Sequence, residues 1–356
     1  MTINFFPKYD ESGASSRYRT YQYLKFFKEN HIEIKVIPFF DESHIKNINQ
    51  KKRKSIFKYL KYVVKRKAAV LFLKRNSLIV IEKELFPYFP PFFERFLKFK
   101  NIKFILDYDD AVIHNYDEST NPIIKKLLSN KIPIIQKKAA AVINGSYYLQ
   151  NLSLKNNPNS FYIPTSLDIE KYKLKSYHSD EFIIGWIGSA STSQLILPFL
   201  NVIKQFCEHY HCNLHLIGFD KSLINLNEYK FIKLIEWQAD TEIEEINKFS
   251  VGISPSTDSP FMRGKCAFKS IQYMACAKPV VTSPVGANAD VVNHGITGFH
   301  ANSEQDWYNY LEELYKNPEL RQNMGKIGRK KVEEEFSIQV NYKKYIDLFN
   351  RINSQK

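Results

Sequence analysis

Pro260-Phe261-Met262-Arg263-Gly264-Lys265-Cys266-Ala267-Phe268-Lys269-Ser270-Ile271-Gln272-Tyr273-Met274-Ala275, running on through Lys278-Pro279-Val280-Val281-Thr282, reads as a cationic turn, a helix and a buried strand. At about 100° per residue, Lys265, Lys269 and Gln272 stand at i, i+4 and i+7 and share one helix face. Phe268, Ile271 and Ala275 make another face, apolar and able to pack on a sheet. Arg263 lies just before the first turn. Cations gathered at a helix start, where the macrodipole adds partial positive charge, suit a pyrophosphate. The same residues also describe a helix with a solvated basic face.

Outward from this stretch, apolar runs alternate with helical patterns along the whole chain, the signature of α/β folds with parallel sheets. Strands are expected at 2–6, 32–39, 78–84, 103–108, 140–144 and 160–164, then at 182–188, 213–218, 230–236, 251–254, 279–282 and 297–300. Helices are expected at 15–30, 54–73, 91–99, 121–138 and 146–153, then at 191–210, 241–248, 265–277, 287–293, 303–316, 319–335 and 338–352. A chain of 356 residues is too long for one ordinary core and points to two domains. The join falls in the polar stretch 168–180, which dictates domains at 1–175 and 176–335, with a helix at 336–356 that packs back on the first. Together these make an α/β protein of two Rossmann-like, doubly wound domains facing a cleft.

Charge is unevenly placed. Residues 1–178 hold 32 Lys/Arg against 16 Asp/Glu, whereas residues 179–356 hold 19 against 21. Within 46–75 there are 12 basic residues and no acidic ones, interleaved with Ile56, Phe57, Tyr59, Leu60, Tyr62, Val63 and Val64. A helix through 54–73 would carry a basic face and an aromatic-aliphatic face, the composition of an interfacial membrane helix. Each basic residue near an anionic leaflet contributes about 1 kcal/mol. A core helix with a lysine-rich outer face has the same composition. No nucleic-acid module accompanies the basic block, so nucleic acid is not an expected partner. No run of 18 apolar residues exists, so no spanning helix is expected, and the first residues lack the basic start of a signal peptide. The four cysteines have no zinc or redox spacing and read as reduced cytosolic thiols.

The segment from Arg263 to Val281, with the turn Ser283-Pro284-Val285-Gly286 after it, resembles the donor-binding helix of retaining GT-B glycosyltransferases of the family 4 type (glycosyl transferases group 1). Gly13-Ala14-Ser15-Ser16-Arg17, Asp107-Tyr108-Asp109-Asp110-Ala111, Ile163-Pro164-Thr165-Ser166-Leu167-Asp168 and Gly185-Trp186-Ile187-Gly188-Ser189 recur in the same order in one branch of that family. The resemblance implies a basic, membrane-facing acceptor domain followed by a nucleotide-sugar-binding domain. It implies transfer of a sugar from a nucleoside-diphosphate sugar to a lipid-linked or polysaccharide acceptor in bacterial-type surface glycan synthesis, including lipopolysaccharide. The work would be done in the cytoplasm, peripherally at the inner face of the membrane. The donor is a substrate; no cofactor and no obligatory metal are implied. The alternatives are a catalytically silent GT-B nucleotide-binding or scaffold protein and a nucleotide-sugar epimerase.

Candidate chemistry belongs just after strands, because ligands of open α/β sheets gather beyond their carboxyl ends. After the first strand, Gly13 lets backbone amides approach a phosphate or sugar, and Arg17 stands in the first helical turns; an ordinary turn needs the same glycine. After 103–108 come Asp109, Asp110 and His114. Asp107 and Asp109 would project to one side of a strand, and such crowding raises a carboxyl pKa, as suits a group that meets an attacking hydroxyl. Helix capping by Asp109 or Asp110 is the plainer alternative, and His114 can equally pack against Tyr116. Ser189 opens a helix, where its hydroxyl caps or holds a β-phosphate. With no cation in Gly188–Ser193, the diphosphate charge is assigned to Arg263, Lys265 and Lys269. The family's paired glutamates fall on Gly264 and Gln272: Gln272 can still bond a ribose hydroxyl, Gly264 cannot hold a sugar, and Asp258 is the carboxylate nearest to replace it.

Overall fold

Twelve strands form among the residues described by the computed structural model, which are 2–49, 55–174 and 181–354. Lys51 to Lys54 of the expected basic block and 175–180 of the expected join lie outside the described residues. All twelve expected strands are present and all pair in parallel, in two sheets of six. The chain divides into unit 1, comprising 1–166, 263–266 and 338–356, and unit 2, comprising 167–262 and 267–337.

Unit 1 holds β1 (Thr2–Phe6), β2 (Glu33–Val36), β3 (Leu78–Glu82), β4 (Lys103–Tyr108), β5 (Ala141–Asn144) and β6 (Ser160–Tyr162), in the order β2-β1-β3-β4-β5-β6. Every residue of β3 is buried, as expected of a strand covered by helices on both faces. One face carries Ile3, Phe5, Val80 and Ile105 against Phe27, Tyr345 and Phe349. Tyr345 and Phe349 come from the long helix Ile338–Ser354.

Unit 2 holds β7 (Ile183–Ile187), β8 (Asn213–Ile217), β9 (Ile232–Ile235), β10 (Val251–Ser254), β11 (Val280–Thr282) and β12 (Gly298–His300), ordered β12-β11-β10-β7-β8-β9. Read from β9, this is the doubly wound order 3-2-1-4-5-6 of dinucleotide-binding sheets. Trp186, Leu214, Leu216, Val251 and Ile253 pack on Phe206 and Trp307 on one face. Ile183, Ile187 and Ile217 pack with Ile271, Tyr273 and Met274 on the other.

Besides the pattern at 191–210, which opens as the 3₁₀ turns Ala190–Leu195 and Leu197–Phe199 ahead of the α-helix Leu200–Tyr210, three expected helices are interrupted, each for a local reason. The pattern at 15–30 splits into Ala14–Arg19, a 3₁₀ turn Tyr21–Tyr23 and Leu24–Glu29, because Thr20 leaves helical dihedrals. The pattern at 121–138 splits into Pro122–Leu128 and Lys131–Gln136; the break puts Pro133 in a first turn, where no amide hydrogen is needed. The third interruption corrects the opening expectation. The helix begins at Phe268, not at 265, because Ala267 adopts the left-handed conformation at φ +52°. Lys265 therefore does not share a helix face with Lys269 and Gln272. It belongs to the turn after the short helix Pro260–Arg263. Helices at Glu42–Asn49 and His114–Asp117 were not expected.

Within the helix Ile56–Leu71 the buried side chains are Tyr62, Arg66 and Val70, at i, i+4 and i+8. Arg66 therefore leaves the basic surface and enters the core, stacked over Phe6 and Phe39. On the outer side Phe57, Leu60, Val64 and Leu71 form an exposed apolar stripe, Phe57 being 81% exposed, and Phe72 beyond it is 86% exposed. No helix among the described residues is long and apolar enough to cross a membrane.

Candidate functional site

In unit 1 the winding direction reverses between β1 and β3, and the side chains at the carboxyl ends of β1, β3 and β4 converge there. The ladder pairs Glu82 with Asp107. Asp107 is committed to structure: Arg19 Nε donates to its Oδ1 at 3.0 Å, a second guanidinium nitrogen also reaches Oδ1, and Tyr345 Oη donates to Oδ2 at 3.2 Å. Burial pushes the Asp107 carboxyl up, against the pull of Arg19.

Asp109 and Asp110 lie past the strand end, so Asp109 is not on the ladder with Asp107. A lysine inside unit 1 holds both: Lys83 Nζ is 3.0 Å from Asp109 Oδ1 and 2.6 Å from Asp110 Oδ2. Lys83 does this from a left-handed backbone at φ +64°, an arrangement that costs a non-glycine residue about 1–3 kcal/mol and gathers at functional sites. Lys265 Nζ donates to Asp110 Oδ1 at 2.6 Å. Burial raises the Asp110 pKa, but Lys83 and Lys265 outweigh it and hold the carboxyl far below the usual carboxylate range. Asp110 is thus a fixed anion.

The turn that carries Lys265 is seated tightly in unit 1. A Cβ on Gly264 would lie 2.4 Å from Ala111 Cβ and 2.9 Å from Ala111 N, so only glycine fits. Cys266 Sγ donates to Asp109 O at 3.0 Å, and a Cβ on Gly145 would meet that sulfur at 2.5 Å.

Sequence reasoning missed Ser15, Ser16, Glu82 and Lys83. Glu82 is 2% exposed, and its Oε1 lies 3.0 Å from both Ser15 Oγ and Ser16 Oγ. Ser15 Oγ also reaches Asp109 Oδ2, and Tyr9 N donates to Ser16 Oγ at 2.9 Å. Burial and the charge on Asp109 push the Glu82 carboxyl up to about 7. The available signal was an apolar strand closing on Glu82-Lys83-Glu84 where the sheet reverses.

His114 lies beside this cluster in sequence, but both its ring nitrogens are engaged, Nδ1 with Asp117 at 3.0 Å and Nε2 with Tyr148 Oη at 3.0 Å. Gly13 caps the helix Ala14–Arg19 with extended backbone, and a Cβ there would meet Tyr9. Arg17 lies in that helix and bonds the carbonyls of Glu11 and Ser12 at 3.2 and 3.3 Å.

In unit 2 the reversal falls between β7 and β10, so the loops after Ile187 and Ser254 flank it. Ser189 caps a 3₁₀ helix, Ala190–Leu195, and forms a reciprocal capping box with Thr192. Lys269 Nζ stands 4.3 Å above the ring of Trp186, the residue two before Gly188. Asp258 and Arg263 are exposed. Gln272 is only 5% exposed and its Nε2 donates to Tyr172 Oη at 3.1 Å. Of the expected donor-binding residues, Gly13, Arg17, Arg263 and Lys265 belong to unit 1, and Ser189, Asp258, Lys269 and Gln272 to unit 2.

Two parallel doubly wound units of this order are the architecture of GT-B glycosyltransferases. Solved structures agree over the whole length. Sucrose-phosphate synthase from Thermosynechococcus elongatus superposes with a TM-score of 0.76 at 14% identity, covering 100% of both chains. Anabaena HepE, solved with UDP and glucose, superposes with a TM-score of 0.71 at 14% identity, covering 98% of this chain and 99% of that one. Residues 181–317 match the family described as glycosyl transferases group 1. The capsular polysaccharide biosynthesis glycosyltransferase CapM of Staphylococcus aureus is 27% identical over 207 residues, 52% of each chain, so this chain spans about half the length of that curated relative. By these findings the fold is GT-B, and residues 181–317 are similar to the group 1 glycosyltransferases, the family the motifs resemble.

Proposed function

We propose that this protein is a retaining glycosyltransferase that moves a sugar from a nucleoside-diphosphate sugar to a lipid-linked or polysaccharide acceptor in surface glycan synthesis. The reading is carried by the family match over 181–317, which spans Ser189, Arg263, Lys265 and Lys269. Arg263, Lys265 and Lys269 would stabilise charge growing on the leaving diphosphate, a role commonly worth about 3–4 kcal/mol for one preorganised donor. Lys265 would share that role with its pairing to Asp110. The leaving phosphate oxygen would take the acceptor proton, and Asp109 would orient the acceptor hydroxyl beside the fixed anion Asp110 and His114. Ser189 would bond the β-phosphate, Gly13 and Arg17 would line the approach to donor and acceptor, and Asp258 would face the sugar. Gln272 has to turn from Tyr172 to reach a ribose.

Nucleotide binding tests the donor side. In a thermal-shift series with UDP, GDP, TDP and CMP, one diphosphate at 100 times its Kd adds about 2.7 kcal/mol of stability. Lys269→Ala is expected to weaken that ligand about tenfold, or 1.4 kcal/mol, with the ligand-free unfolding temperature little changed. Wild-type affinity in the variant removes Lys269 from the site. Gly264 and Gln272, where the resembling family carries glutamates, favour a second reading, a nucleotide-binding protein without turnover; detection of any glycosylated product by mass spectrometry, or of epimerised donor by NMR, rules it out.

The acceptor side is assigned to an anionic membrane surface on the cytoplasmic face. Support comes from the apolar stripe Phe57, Leu60, Val64 and Leu71, flanked by the exposed Lys61, Lys65 and Lys67. Phe57→Ser with Phe72→Ser is expected to lower binding to phosphatidylglycerol vesicles about a hundredfold or more, since two buried aromatic side chains at about 1.5–3 kcal/mol each sum to about 3–6 kcal/mol. Sedimentation with vesicles measures it, and equal binding by variant and wild type sinks the assignment.

A further inference from the structure

Ser15 Oγ lies within hydrogen-bond reach of two carboxylate oxygens, Glu82 Oε1 and Asp109 Oδ2. A serine hydroxyl has one proton to give. With both carboxylates ionised, one of the two contacts sets lone pair against lone pair, in a place where an unmade bond is costly. The cluster is therefore one proton short unless a carboxyl carries it. Glu82 is the better holder. Asp109 Oδ1 makes no hydrogen bond among the described residues but has the ammonium of Lys83 at 3.0 Å as an ion pair, whereas Glu82 is buried and its Oε2 has neither a hydrogen-bond partner nor an ion pair among the described residues.

We propose that Glu82 is protonated in the resting protein and, by donating from Oε1 to Ser15, is a positioning residue that turns the Ser15 proton onto Asp109. Ser16, which accepts from Tyr9 N, still donates to Glu82 Oε1, so every proton of the cluster has one acceptor. The role rests on the proposed glycosyl transfer: an Asp109 fixed by Ser15 and Lys83 presents its carboxylate in one orientation to an acceptor hydroxyl. Loss of the Glu82 proton to solvent leaves Ser15 shared between two anions and loosens Asp109.

The groups bearing on Glu82 are Asp109, Lys83 and Asp107, with Ser15 and Ser16 bonded to it. Arg66 and Tyr21 also interact with it. Burial and Asp109 prevail over Lys83, so the folded carboxyl holds its proton up to about 7. A folded value above the unfolded one means stability that is complete below the unfolded pKa and is lost as pH rises through neutrality.

Glu82→Gln, which stays neutral at every pH, tests this in the full chain. Relative to wild type, its unfolding temperature is expected to gain several degrees between about pH 5 and pH 8. An offset that is the same at both pH values overturns the proposal. In protein labelled at the glutamate carboxyl carbon, one resonance should titrate near neutrality with a midpoint displaced by Ser15→Ala. Glu94, also pushed to about 7 by burial, should not respond. If every carboxyl that responds to Ser15→Ala titrates in the ordinary acid range, Glu82 holds no proton and the proposal fails, whether or not the chain transfers sugar. Where transfer is measured, wild-type kcat/KM should fall above neutral pH and Glu82→Gln should stay level, with donor KM unchanged. Identical profiles remove the positioning role.

Discussion

Arg19→Met is expected to cost about 3–5 kcal/mol of folded stability at neutral pH, the loss typical when one member of a buried ion pair is removed. The side chains of Arg19 and Asp107 are 1% and 3% exposed, so the carboxylate left behind has no water to turn to. Tyr345 Oη remains as a donor, but one neutral hydroxyl does not replace a guanidinium. Arg19 Nη1 also supports Ile163 O at 2.9 Å, which extends the damage to the end of β6. Arg19→Met with Asp107→Leu is expected to recover most of the loss, because a buried pair replaced by apolar groups of similar size is often neutral. Chemical denaturation of the two variants measures both effects. A single variant within about 1 kcal/mol of wild type would show the pair to be worth no more than a surface contact.

Gly264→Glu, which restores the glutamate of the resembling family, is expected to lower both stability and nucleotide-sugar turnover rather than raise activity. The first side-chain carbon would already sit 2.4 Å from Ala111 Cβ, and overpacking of this kind costs about 1–3 kcal/mol. The carboxylate would also arrive beside Asp109 and Asp110, whose charges Lys83 and Lys265 already divide between them. The turn would have to leave Ala111, breaking the bond from Lys265 to Asp110. Thermal unfolding and product formation in the same preparation test this. A variant as stable as wild type and more active would mean that the seating of Gly264 on Ala111 is not the resting arrangement.

The sheets were legible because their strands are fully apolar and separated by helical spacing, as in Leu78-Ile79-Val80-Ile81 before Glu82. Helix breaks were less so. Nothing in Cys266-Ala267-Phe268 announces a left-handed residue, since alanine there is unfavourable in isolation and is held by burial of its neighbours. That one dihedral separates Lys265 from Lys269 and assigns the first lysine to a carboxylate. At the candidate site, Asp109 and Asp110 stood out as crowded carboxylates. Their partner Lys83 did not, because one lysine among 51 basic residues carries no mark of being buried. Ser15 and Glu82 are 67 positions apart, and only the parallel pairing of β1 with β3 brings them together.

The helix Ile338–Ser354 gives a last consequence, for the order in which the protein is made. It supplies Tyr345 and Phe349 to the core that Phe5 and Phe27 begin, with Phe349 centred 6.1 Å and 5.5 Å from those two rings. Domains generally fold as they leave the ribosome, amino end first. Here the first unit stays open on one face, with Asp107 short of its tyrosine, until some 170 further residues of a different unit have been synthesised. A nascent chain halted anywhere in between would expose that face, and its demand for chaperones should drop when residues 338–354 emerge.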